Sequence, residues 1–214
     1  MLRSNVIDYA AIAMAESRNS GIFDQDYLAG ITVLGFNELV ENGFITIDGN
    51  CKIHCNEITD MVPEYLKPLE EAIRKEDGKE LRNLLMLILS DMTGRYCDKI
   101  EKYMEKEGLI NITYKKKLGI ETPSVQVMPQ YVQECKERIR NIAACEDEKE
   151  IVFLYVLLRT NMLDDIITKD EIKKIKNKMQ NVKTEKDTCT VRMIKMADEI
   201  CTLALSILAT MMLV

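Results

Sequence analysis

The sequence predicts a mainly α-helical single domain spanning residues 1–214: a compact bundle around a hydrophobic C-terminal helix, with short β-hairpins at its periphery. Three observations carry this. Leu, Ile, Met, Glu and Lys are abundant while aromatic residues make up only 6%, a balance that suits helices better than a sandwich or barrel. Apolar residues recur at helical spacing through most of the chain, and they alternate only in short runs beside Gly, Asp or Asn. A chain of 214 residues buries about 70% of its unfolded surface on folding, so it needs no disulfide or metal staples. The hydrophobic share of 47% excludes a disordered chain, and the four Pro and nine Gly exclude a collagen-like one.

The elements follow in order. Asn5–Ser17 is apolar with small residues and reads as a helix, broken by Arg18–Gly21. Asp26 is placed to cap a second helix, Tyr27–Asn42, with Gly43 just past its end. Phe44–Ile47, a turn at Asp48–Asn50 and Cys51–Cys55 read as a hairpin. Asp60 and Pro63 open a helix over Glu64–Lys75, and Lys79–Leu89 and Thr93–Glu107 read as two more, the last stopped by Gly108. Leu109–Tyr114 reads as a strand, Lys115–Leu118 as a basic turn, and Gly119–Val127 as a loop or returning strand. Pro129–Cys145 carries Val132, Cys135, Ile139 and Ile142 on one side. Glu148–Asn161 is strongly apolar, Lys169–Val182 is basic and amphipathic, Lys183–Thr188 is polar, and Val191–Val214 reads as a buried helix. Two stretches, 36–47 and 100–112, echo each other as helix, Gly, apolar strand.

Charge and cysteine usage bound the function classes. A net charge of −6 and a pI of about 5.1 argue against a general nucleic-acid binder, which is usually basic. Seven cysteines at irregular spacing, with no cleavable signal ahead of them, read as free thiols of a reducing, cytoplasmic compartment. Ile200–Val214 is uncharged. At about 15 residues, or roughly 22 Å of helix, it falls short of a 30 Å hydrocarbon core. It therefore reads as a core helix rather than an anchor.

No catalytic apparatus is legible, and the chain is expected not to be an enzyme. The single His, His54, has no second His to complete a zinc site or a triad. In a strand, Cys51 and Cys55 share a face while His54 points the other way. The adjacent pairs Asp164/Asp165 and Glu70/Glu71 do not face each other on a helix. GxGxxG, Walker A, GxSxG and HExxH patterns are all missing. No cofactor and no metal is called for. The lysines at 115–117 and the run from Lys169 to Lys186 read either as solvated faces or as surfaces for phosphates.

The order of these segments resembles the Golgi phosphoprotein 3 family, in its bacterial form. The likeness rests on the apolar first helix, on GFNELVENGFITID (35–48), YLKPLEEAIRK (65–75), LRNLLMLIL (81–89) and CDKIEKYMEKEGLINI (97–112), then on residues 115–143, KDEIKKIKNKM (169–179) and the hydrophobic C-terminus. It covers nearly the whole chain. The resemblance implies a non-catalytic peripheral membrane protein that binds phosphatidylinositol 4-phosphate or another anionic headgroup. The family's pocket aromatic falls on Phe23. Its arginine positions fall on Thr32, Gly94 and Cys97, and Arg18, Arg95 and Lys99 are the nearest cations to replace them. The expected partner is thus an anionic phospholipid surface. The alternatives are a protein-interaction adaptor of the same fold, with a protein partner, or a winged-helix-like nucleic-acid binder.

Overall fold

The computed structural model describes residues 3–16, 25–50, 52–57, 61–80, 93–117, 120–145, 150–184 and 188–211. Arg18, Phe23, Cys51, Asp60, residues 81–89 of the expected helix over Lys79–Leu89, and residues 212–214 of the expected C-terminal helix lie outside them.

Eight helices and two antiparallel hairpins make up the described chain. In chain order they are α1 (Asn5–Glu16), α2 (Gln25–Glu41), β1 (Ile45–Ile47), β2 (Ile53–Cys55), α3 (Lys67–Lys75), α4 (Thr93–Lys106), β3 (Ile110–Lys117), β4 (Ile120–Val127), α5 (Pro129–Cys145), α6 (Ile151–Arg159), α7 (Lys169–Thr184) and α8 (Cys189–Met211). β1 pairs with β2 from Ile45↔Cys55 to Ile47↔Ile53, and β3 pairs with β4 from Ile110↔Val127 to Lys117↔Ile120.

The two helix–Gly–strand echoes are one structural device used twice. After α2, Gly43 takes φ 73° and the amides of Gly43 and Phe44 reach back to the carbonyls of Val40 and Leu39. After α4, Gly108 takes φ 70° and the amides of Gly108 and Leu109 reach the carbonyls of Glu105 and Met104. This paired closure satisfies the last carbonyls of a helix and needs a left-handed residue, which Gly adopts without strain.

α2 packs against α1, α3, α6, α8 and β1. Its residues from Tyr27 to Leu39 are buried. Two of its glycines serve as notches. A Cβ on Gly30 would stand 2.1 Å from the Tyr9 ring of α1, and one on Gly35 would stand 2.4 Å from the Tyr96 hydroxyl of α4. The Tyr96 hydroxyl donates to the Ile31 carbonyl of α2. α8 lays Val191, Ile194, Ala197 and Ile200 into the core beside α2 and α6. Its Arg192 donates to the Ile47 carbonyl at the end of β1. Among the described residues no helix is long and apolar enough to cross a membrane.

Some boundaries differ from the sequence reading. α3 begins at Lys67, not Glu64, and the proline in its first turn is Pro68; Pro63 instead closes a turn onto the Leu66 amide. Lys115–Lys117 extend β3 rather than forming the turn, with Lys115 opposite Thr122. Asp26 lies inside the first turn of α2, which starts at Gln25. Lys79 and Glu80 are not helical: Glu80 bridges to Lys52 beside β2.

Candidate functional site

α4 is the helix on which the candidate site is built. Tyr96, Cys97, Ile100 and Met104 face the core. Arg95, Lys99, Lys102 and Lys106 are exposed. Their spacing of four, three and four puts them on one stripe, about 16 Å long. Lys99, Lys102 and Lys106 form one wall of a groove of about 750 Å³, within the range of small-ligand sites. Pro63, Glu64 and Tyr65 form a second wall ahead of α3. Arg3, Ser4 and Ile7 at the start of α1 close one end, together with Leu109, Tyr131 and Glu134. Both glycine notches of α2 bear on this geometry, because they set how closely α1 and α4 approach the same central helix.

The groove holds charges of both signs. Glu64 accepts from Lys67 and lies 3.9 Å from Lys99. The Lys67 hydrogen bond and charge hold this carboxylate below its usual range, and Lys99 and Lys106 add to the effect. The rings of Tyr65 and Tyr103 meet in a tilted contact, 4.8 Å between centres and 55° between planes. The Tyr65 hydroxyl donates to the buried Glu38 of α2 at 3.0 Å. Glu38 also accepts from the Ser4 hydroxyl at 2.7 Å and the Val6 amide at 3.0 Å. Burial pushes its carboxyl up, and these three donors offset part of that push. The Ile7 amide donates to Ser4. The amides at the start of α1 are therefore turned to Ser4 and Glu38.

The α1 end of the groove rests on a buried ionic network. Asp8, whose side chain is 1% exposed, accepts from Arg3 Nε at 3.0 and 3.1 Å, from Arg138 Nη1 at 2.7 Å and from the Tyr131 hydroxyl at 2.7 Å. Arg138 also donates to Glu150 at 2.6 Å and lies over Phe153. Glu150 accepts from Asn5 at 2.9 Å. Arg3 lies over the Tyr131 ring, 5.4 Å from its centre, and its Nη2 contacts Cys135 at 3.4 Å. Burial, with Asp8 alongside, pushes the Cys135 thiol up to about 12. This network ties α1 to α5 and α6 across more than 120 residues of sequence.

Of the residues singled out from sequence, Lys99 lines the groove and Arg95 stands on the same stripe beyond it. Thr32 and Cys97, at the arginine positions of the resemblance, are buried in the core. Lys102 and Lys106 escaped the sequence reading, although their spacing from Lys99 was there to be seen. Arg3, Asp8 and Tyr131 carry no local signal that joins them. His54 sits in β2 with Nε2 3.2 Å from Asp48, at the edge of the first hairpin. Among the described residues no cluster of His, Cys, Asp and Glu is fit to hold a metal ion. Compared with models of protein families and with curated proteins, the chain shows no match.

Proposed function

We propose that this chain is a non-catalytic, peripheral membrane protein of Golgi phosphoprotein 3 type, and that the α4 groove receives an anionic phospholipid headgroup. The observation that carries the reading is the cationic stripe of α4, three of whose lysines line one groove wall. A net charge of −6 makes binding depend on such a face, since each basic residue near an anionic surface contributes about 1 kcal/mol. The resemblance in segment order supports the same reading.

Two alternatives fare less well. A DNA-reading helix must protrude to enter a major groove about 12 Å wide, whereas α2 is buried and α4 forms the wall of a concavity. An adaptor role draws on the exposed Met61 and Met128, but these do not account for the lysine stripe.

Co-sedimentation with vesicles tests the proposal. Pelleting should rise with the anionic lipid fraction and fall with salt. Replacing Lys99, Lys102 and Lys106 together with Gln should weaken binding about a hundredfold, from about 1 kcal/mol each. Equal pelleting of the wild type on neutral and anionic vesicles would refute it.

A further inference from the structure

The geometry points to Arg3 as the residue that orients the phosphate in this groove, with Asp8 and Tyr131 as positioning residues behind it. The inference rests on the headgroup reading above and names the cation that gives it selectivity.

The three lysines of α4 are exposed ammonium groups on flexible stems. They supply attraction with little geometry. Arg3 differs. Its Nε is held by both oxygens of Asp8, and its Nη2 contacts Cys135. Its guanidinium plane rests over Tyr131. Among the described residues Nη1 has no partner, and the side chain is 35% exposed where it lines the groove. One edge of a planar fork is thus fixed and the other is open. A preset guanidinium loses little freedom on binding and offers directed donors to phosphate oxygens. Asp8 is itself held by Arg138 and Tyr131, so the fork stands on a rigid base. The amides at the start of α1, the other local anion donors, are turned to Ser4 and Glu38, which leaves the role to Arg3.

A directed fork favours a phosphomonoester, with its terminal oxygens free, over a phosphodiester flanked by two alkyl groups. Vesicles of phosphatidylcholine doped with phosphatidic acid or with phosphatidylglycerol, matched in surface charge, separate the two. The wild-type chain should prefer the monoester surface. Arg3→Lys keeps the charge, and it should weaken binding to the monoester surface about tenfold more than binding to phosphatidylglycerol, the worth of one charge-assisted hydrogen bond. Tyr131→Phe keeps the ring but drops the bond to Asp8, and it should shift the preference in the same direction by less. A purely structural role for either residue would lower binding to both surfaces alike.

If Arg3→Lys retains the full preference while the lysine variants lose binding to both surfaces, the Arg3 assignment is overturned and the headgroup reading stands. Calorimetric titration with glycerol 3-phosphate separates a lipid from a free phosphate. Binding that Arg3→Lys abolishes, without vesicle binding by the wild type, would uphold the Arg3 assignment and overturn the membrane reading. No binding in either format overturns both.

Discussion

Replacing Gly30 with Ala pits two effects of opposite sign against each other. In a helix interior the change gains about 1 kcal/mol of propensity. At this position the new methyl would stand 2.1 Å from Tyr9 Cζ and 2.3 Å from both Cε1 and the hydroxyl oxygen. Ordinary contact begins near 3.4 Å, so the ring would have to retreat by about 1.3 Å in a core packed as densely as a crystal. Tyr9 is completely buried and stacks on Tyr27 at 6.5 Å, so retreat carries neighbouring groups with it. Overpacking of this kind costs about 1–3 kcal/mol, more where the ring is expelled. A retreat this large puts the clash at the upper end of that range, about 3 kcal/mol, so it outweighs the propensity gain and the net loss is about 2 kcal/mol. In a chain of this size that lowers the melting temperature by roughly 4–8 °C. Urea unfolding measures it directly. Tyr9→Leu supplies the control, because in that background Gly30→Ala should cost much less. A Gly30→Ala protein as stable as the wild type, or an equal cost in both backgrounds, would refute the notch and with it the seating of α1 on α2.

Three further outcomes are expected. Asp8→Asn leaves Arg3 and Arg138 without their shared buried charge, so it should cost about 3 kcal/mol in urea unfolding, whereas breaking the exposed pair of Lys67 and Glu64 should change stability little. Glu38 has a folded carboxyl pKa raised above its unfolded value. Its contribution to stability is therefore full below the ordinary carboxylate range and is lost as pH rises through the raised value. Glu38→Gln should remove that falling component, so the stability difference between variant and wild type changes with pH only across this window. Native-state thiol labelling should leave Cys97 and Cys135 untouched, since burial takes each thiol up to about 12 and only the thiolate reacts; the exposed Cys145 should label first.

Helices bounded by Gly or Pro were the most legible parts of the chain. α5 runs over Pro129–Cys145 as expected, and α4 ends at Lys106, one residue before its predicted end. Both are set by punctuation within a few residues. The start of α3 and the length of β3 were misread for a related reason. Two prolines compete to open α3, and Lys115–Lys117 look like a turn until the partner strand is present to pair with them. Asp8 shows the limit most plainly. One acid in an apolar helix carries no local sign of its partners, yet Asp8 is fully buried because Arg3, Arg138 and Tyr131 arrive to satisfy it.

By itself the sequence determined the helical class and the two helix–Gly–strand units, which depend on periodicity and on the conformational freedom of single residues. The tertiary structure alone decided that the basic face of α4 would line a groove. The walls come from four separate stretches of chain, brought together by tyrosines set into glycine notches and by an ionic network that spans more than 120 residues. Local propensity acts over a turn or two of helix, whereas a concave site exists only after distant side chains have packed.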